Sequence, residues 1–496
     1  MNYREALLNR FLPLVLVVLL GACAASAEAA DSSIADDLAF VNVNVVDVEG
    51  GSVLPVRTVL IADNRINTVG LGNGVPIAPA TRVIDGSGYF LIPGLVDMHV
   101  HLFNNVSRRD PNTWALPLFV ANGVTGIREM WTEPASMGRV REWRRGVAQE
   151  GLLAPRVLAA GALVDGPGAW MRHMPEVTTP AEGRCFVRQA SDAGVDFIKV
   201  YSLLRPTVYA AILDEARERD MPVAGHIPLQ VAALAAAEGG QRTNEHLTQV
   251  REACTTIEDR FLEERRRFYS HAYTEDEEVV LLDSEVHRFG DAFDAATCRG
   301  VAAHLASLGQ WQVPTLINER RWTLGVPEGQ ARDAWRAYLP PQEREAWIRR
   351  LENGSVTYSG DAASLRRSWE ATLQVVRILG EAGVGLLAGT DFGQPFVMPG
   401  FGLHDELELL VEAGLTPAQA LRSATIAPAL ALGATDSLGS VAPRRLADLV
   451  LLAGDPLVDI RNTRRIVAVV LNGRYLDRQA LDALLIHAGV ETMTER

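Results

Sequence analysis

The chain has 496 residues, 48% of them hydrophobic, and a formal net charge of −14. That length supports one large core and a second, smaller one. The acidic balance excludes nucleic acid as a partner, because phosphates would be repelled, and the acidic residues are dispersed as on an ordinary solvated surface.

Arg4 and Arg10 precede a short apolar run, residues 11–20, which ends in Leu20-Gly-Ala-Cys23. A positive flank, an apolar core and small residues predict an export signal over residues 1–23. The run is shorter than the about 20 apolar residues that a membrane span needs. Its ending resembles a bacterial lipobox, which implies lipidation at Cys23; an ordinary signal peptide cut nearby is the alternative. Ala24 resembles the outer-membrane version of such signals. The protein is therefore expected in the periplasm, touching a membrane through a lipid anchor only. Cys185, Cys254 and Cys298 remain. In an oxidising compartment one disulfide and one leftover thiol are expected. Cys254 with Cys298 is favoured because both bound one charged segment; three free thiols is the alternative.

Residues 38–47, 58–62 and 66–69 alternate apolar and polar positions between Gly, Asn and Asp turns, the pattern of short antiparallel strands. The Gly-rich piece 70–74 has no helix pattern after it, so it reads as a turn and not a nucleotide loop. Residues 447–452 and 465–471 repeat the strand pattern near the other terminus. The ends are thus expected to form one small β-sandwich domain from residues 36–90 and 436–485, with residues 91–435 inserted between them.

The inserted part opens on Leu91-Ile-Pro-Gly-Leu-Val-Asp-Met-His-Val-His-Leu102. It is apolar on both faces, as in a buried parallel strand. A strand's side-chain period of two puts His99 and His101 on one face. Further strand patterns fall at 123–128, 156–159, 197–200, 222–225, 241–244, 312–316 and 385–388. Helical patterns such as 208–216 and 229–237 lie between them. Eight alternating units predict an α/β fold, a (β/α)8 TIM barrel. An open doubly wound sheet is the alternative, but the Gly-rich phosphate turn it usually carries is missing. From 251 to 363 the composition shifts to Arg, Glu and Trp. Solvated helices with i,i+4 ion pairs are expected there, part of them a cap at the barrel mouth.

Barrel enzymes place their chemistry at the C-terminal ends of strands. His99, His101, Lys199, His226, His246 and Asp391 each end an apolar stretch. Taken singly they have ordinary readings: a hydrogen-bonded core histidine, a lysine reaching solvent, a turn-capping aspartate. Six metal-compatible groups at successive strand ends form too ordered a series for that. His271, His287, His304, His404 and His487 lack the context.

This order, the split β-domain, and the phrases Ala388-Gly-Thr-Asp391 and 439–450 resemble the amidohydrolase superfamily. Within it the chain is most similar to the imidazolonepropionase-like and Xaa-Pro dipeptidase-like branch. The resemblance implies two divalent ions, zinc by default, with His99, His101 and Asp391 on the first and His226 and His246 on the second. It implies a carbon dioxide-derived carbamate on Lys199 bridging them, which would account for a lysine in an apolar strand. Two such ions activate a hydroxide. Asp391 would be general base and then acid, and Tyr201 a hydrogen-bond donor to the tetrahedral intermediate. Tyr201, Arg128 and His173 are candidate substrate contacts. The expected reaction is hydrolysis of a C–N bond in an amide, dipeptide or cyclic amide. A mononuclear deaminase or lactam hydrolase, and a non-catalytic binding lipoprotein, are the alternatives. A homo-oligomer is compatible with the sequence.

Overall fold

The structure is a computed structural model that describes residues 37–103, 112–169, 174–326, 337–352 and 358–494. The expected signal with Cys23, and His173, lie outside the described residues. Five strands come first: β1 Leu38–Asp47, β2 Ser52–Ala62, β3 Arg65–Leu71, β4 Arg82–Asp85 and β5 Phe90–Pro93. Seven follow between helices: β6 Leu95–Val100, β7 Val124–Glu129, β8 Arg156–Val164, β9 Phe197–Val200, β10 Val223–Gly225, β11 Thr243–Glu245 and β12 Trp311–Val313. The last are β13 Leu449–Leu452, β14 Ile466–Leu471 and β15 Arg474–Asp477. The fold is mixed α/β.

Strands from both ends share one eight-stranded sheet, in the order β15-β14-β13-β5-β1-β2-β3 with β4 beside β1. β1 buries Phe40, Val43 and Val45 against Leu449 and Leu451 of β13 and Val470 of β14, the step of three between Phe40 and Val43 falling at a register shift in the strand. The β14–β15 hairpin turns through Asn472 and Gly473 at φ of 52° and 80°. Those angles suit Asn-Gly, which supplies two left-handed residues at little cost. The Asn472 carboxamide also accepts from Asn64 Nδ2 at 3.0 Å, tying the two chain ends together.

The second sheet is parallel and runs β10-β9-β8-β7-β6; β11 and β12 form a parallel pair. Backbone hydrogen bonds continue beyond these assignments. Arg242 N–H donates to Val223 O at 2.7 Å, and Gln312 N–H to Gly385 O at 2.9 Å. Met98 N–H donates to Ala388 O at 2.9 Å and His101 N–H to Phe392 O at 2.7 Å. The 385–392 segment thus lies between β12 and β6.

Three expectations need correction. The run from Leu91 to Leu102 is two strands, because the chain passes from one sheet to the other at Gly94, where a Cβ would overlap the Thr125 side chain. The helix expected over 229–237 is Ala233–Glu238. Its first residues form a turn instead, with Leu229 N–H donating to Ser202 O at 2.9 Å and Val231 N–H to Pro228 O at 2.9 Å. The 385–388 strand is an extended segment with one bridge, Gln312–Leu386. Its ladder is interrupted where Ala388 N–H turns to Ser423 O.

The described residues of the 251–363 segment are mainly helical, with β12 among the helices. The charge run is only partly solvated. In the helix Glu258–Phe268, Phe261, Leu262 and Arg265 are buried, as their spacing of one and three residues along one face allows. Arg265 is paired there with Glu285 at 2.8 Å and Glu252 at 2.7 Å. Cys254 and Cys298 form a disulfide that closes a loop of 44 residues, and Cys185 is exposed and free. A loop of that size limits the unfolded chain by about 4 kcal/mol in the chain-entropy account. Replacing both cysteines by serine should lower the urea midpoint by a matching amount. Identical midpoints for oxidised wild type and the double variant would show that the link carries no stability.

Candidate active site

The period of two that aligns His99 and His101 also aligns Asp97, and the structure uses all three. Asp97 Oδ1 accepts from His99 N at 3.1 Å and Thr390 N at 3.0 Å, and its Oδ2 from Thr390 Oγ1 at 2.6 Å. This buried carboxylate therefore fastens the end of β6 to the loop that carries Asp391. The loop must pass close to the histidines. A Cβ at Gly389 would lie 2.8 Å from His99 Cβ, and one at Gly393 2.7 Å from His101 Cβ. Asp391, His246 and Thr315 take left-handed φ values of 60°, 59° and 48°. Such conformations cost non-glycine residues about 1–3 kcal/mol each and persist where the surroundings enforce them.

The six strand-end groups converge. Asp391 Oδ1 lies 3.3 Å from His99 Nε2 and 3.2 Å from His101 Nε2. Lys199 Nζ lies 3.4 Å from His99 Nε2. The His246 ring is 4.7 Å from that of His99 and 4.9 Å from that of His226, centroid to centroid. Ligand atoms of His99, His246 and Asp391 all lie within 4.8 Å of one another.

Three of the imidazoles are held by one ring nitrogen. His99 Nδ1 donates to Glu245 Oε2 at 2.8 Å. His246 Nδ1 lies 2.6 Å from Thr315 Oγ1, whose hydroxyl donates to Pro314 O, so the histidine is the donor. His226 Nδ1 pairs with Ser202 Oγ at 2.8 Å. A hydrogen bond at Nδ1 fixes the tautomer and leaves Nε2 to bind a metal. His226 Nε2 is buried and has no hydrogen-bond partner among the described residues. An orphaned, buried ring nitrogen facing other imidazoles and a carboxylate fits a divalent cation, and zinc takes just these donors.

Electrostatics agree with that fit. Burial and the nearby Lys199 ammonium hold His99 and His101 below the ordinary imidazole range. Burial lowers His226 well below it and His246 to about 4. All four are thus neutral ligands near pH 7. Burial pushes Lys199 down to about 8, against the pull of Asp391 and Glu245. For Asp391 burial opposes ionisation, but the His101 hydrogen bond and the electrostatic pull of the imidazoles and the Lys199 ammonium outweigh it, leaving the carboxyl below its usual value. Tyr201 stacks on His226 at 3.9 Å, and burial raises its phenol so that it stays protonated.

Arg128 is turned into the fold at this centre. It is buried, with Nη2 on Glu245 at 2.8 and 2.9 Å, Nη1 on Thr243 at 3.0 Å and Nε on Met98 O at 2.7 Å. It holds the carboxylate that holds His99. Sequence reading missed Asp97, Glu245, Asn318 and Arg321. Asp97 was reachable by the same alternation as the histidines. Asn318 Nδ2 donates to Asp391 Oδ2 at 2.7 Å, and its Oδ1 accepts from Arg321 Nη2 at 2.6 Å. The helix Leu316–Leu324 that carries both is capped by Glu406, which accepts from Leu316 N and Ile317 N at 2.9 and 2.8 Å. No local pattern links 318 to 391.

A mixed α/β fold gathers histidines, a lysine and an aspartate at strand ends, a donor set that could hold a metal ion. Residues 90–476 match the Amidohydrolase family, and the chain belongs to that family. It is 26% identical over 211 residues to adenine deaminase 2 of Shouchella clausii, which covers 39% of this chain and 34% of that one. It is 40% identical over 58 residues to the imidazolonepropionase of Idiomarina loihiensis, covering 12% of this chain and 14% of that one. The chain thus spans about a third or less of the length of these curated relatives. Among solved structures it is similar to a bottromycin amidohydrolase, with 26% identity, TM-score 0.68, and coverage of 92% of this chain and 90% of that one. An Xaa-Pro dipeptidase has 18% identity, TM-score 0.60 and coverage of 89% and 99%. At that identity it speaks for the fold alone.

Glu245→Gln should weaken metal binding about 10–100-fold, the usual cost of losing a partner behind a histidine ligand. Competition with a chromogenic chelator measures this, and an unchanged affinity would show that Glu245 does not tune His99.

Proposed function

We propose that the protein is a metal-dependent amidohydrolase that cleaves a C–N bond of an amide, dipeptide or cyclic amide at two divalent ions. The observation that carries the reading is the buried convergence of four neutral imidazoles, Lys199 and Asp391 around the orphaned Nε2 of His226. His99, His101 and Asp391 would hold one ion, and His226 and His246 the other. Lys199 would bridge them as its carbamate. When bound, the ions supply a nucleophile at neutral pH by lowering the pKa of water, and Lewis acidity toward a carbonyl oxygen.

The chain's own residues do the rest. Asn318 holds Oδ2 of Asp391, so the carboxylate keeps one orientation while its Oδ1 faces His99 and His101. Asp391 accepts a proton from the attacking water and returns it to the leaving nitrogen. Tyr201, protonated through burial, donates a hydrogen bond to the oxyanion of the tetrahedral intermediate.

Three coarser features accompany this reading. The parallel strands and the 385–392 segment form a closed (β/α)8 barrel, an interpretation supported by the hydrogen bonds that link β10 to β11, β12 to Gly385 and Ala388 to β6. The two chain ends form a small β-sandwich, supported by the separate apolar core they share. The protein is exported and anchored at the outer membrane through Cys23, and the Cys254–Cys298 disulfide favours an oxidising compartment.

A second reading, a mononuclear deaminase, is favoured by the curated adenine deaminase relative and by the His99–His246–Asp391 group, which can hold one ion by itself. Elemental analysis separates the two: two equivalents per chain support the first reading, one the second. Lys199→Ala should lose most of one equivalent, and full occupancy in that variant would remove the bridge. Asp391→Asn should lower kcat by at least about 100-fold, the scale of a general base. Turnover of an N-acyl amino acid or Xaa-Pro dipeptide at the wild-type rate by this variant would remove the base assignment.

A further inference from the structure

Beside the six-residue centre the helices of the 251–363 segment enclose a cavity of about 330 Å³ whose floor includes Tyr201, His226, His246 and Asp391. Its charged wall groups are paired with one another, although Glu252 Oε2 keeps no hydrogen-bond partner among the described residues. Arg251 is bonded to Glu319, and Arg265 spans Glu252 and Glu285. A paired ion leaves little demand for a charged ligand, and burying a further charge beside it is costly. Its apolar walls are Leu229, Leu282, Val286, Phe289, Trp322 and Tyr358, and Ser202, Thr248, Gln249, Asn318 and Gln394 complete the lining.

Three of these, Leu282, Val286 and Phe289, follow helical spacing on Glu275–Ala292 and face the cavity together. That helix is held in place. Glu285 takes two bonds from Arg265 Nε at 3.0 Å each, and Arg265 Nη1 reaches Gln249 at 2.6 Å. Just past the helix end Asp294 N–H donates to Cys254 O at 2.9 Å, beside the disulfide. On the opposite wall Tyr358 N–H donates to Trp322 O at 2.8 Å, and the two rings lie 6.2 Å apart. The apolar pocket is therefore built before any ligand arrives, which reduces the ordering cost of binding. A second cavity at the same centre differs: Glu343 and Arg350 are among its walls.

We propose that this chain selects amides carrying a bulky, uncharged apolar group, aromatic above all, on the side of the scissile bond that enters the Phe289–Trp322 pocket. The inference rests on the hydrolase reading of the centre but concerns binding, which can be read apart from turnover. Burying a benzyl group fully should favour it over hydrogen by on the order of tenfold or more.

Calorimetric titration of the full chain carrying Asp391→Asn, loaded with zinc, measures this with four N-acetyl amino-acid amides bearing glycine, phenylalanine, lysine and aspartate side chains. The phenylalanine amide should bind at least about tenfold tighter than the glycine amide and tighter than both charged ones. Phe289→Ala, and separately the milder Leu282→Ala, should erode that preference and leave the glycine amide unchanged. Equal affinities, tighter binding of a charged amide, or no binding of any of the four would overturn the proposal. Failure of the hydrolase reading looks different: the wild type would cleave none of the amides while the binding order stood.

Discussion

Four imidazoles, an ammonium and a carboxylate share a buried space at one end of the parallel strands, and the cost of keeping them there shapes the rest of the described fold. Burial and the Lys199 ammonium hold every one of the four histidines below the ordinary imidazole range, in its neutral form. Neutral imidazoles in a dry cluster lose hydration and find too few protein partners, as the orphaned Nε2 of His226 shows. Such a set is stable only if the lost partners are replaced, and a divalent cation is the replacement that suits nitrogen and carboxylate donors.

Around the cluster runs a set of supporting side chains. Arg128 orders Glu245, which orders His99. Arg321 orders Asn318, which orders Asp391. Asp97 and Thr390 bind the first histidine strand to the last carboxylate loop, so residues almost 300 positions apart move as one piece. The left-handed conformations of His246, Thr315 and Asp391 are tolerated because these bonds over-determine them. The pattern is that of a site whose geometry matters more than the local comfort of its backbone.

The inserted helices answer a different demand. The ion pairs of Arg251 and Arg265 are turned inward, and apolar side chains beside them face the cavity. The charge run that looks like a solvated surface in the sequence is in part a buried brace. A linear pattern could not separate those cases, since Arg265 differs from its neighbours Arg266 and Arg267 only by the face it occupies.

Read alone, the sequence determined the alternation of strands and helices, the two-ended β-sheet and the six strand-end groups, and it favoured one cysteine pairing that the structure then showed. Each follows from a local rule: periodicity of side chains, turn residues, cysteine count, or a polar residue closing an apolar run. The split of the first strand at Gly94, the late start of the helix at Ala233 and the role of Arg128 were decided only by tertiary structure. So were Asn318 and Arg321. In every such case the deciding contact joins residues with no sequence relation, such as Gly94 against Thr125, Leu229 against Ser202, or Asn318 against Asp391. Local propensity is silent about which distant group will claim a hydrogen bond or fill the space where a side chain would go.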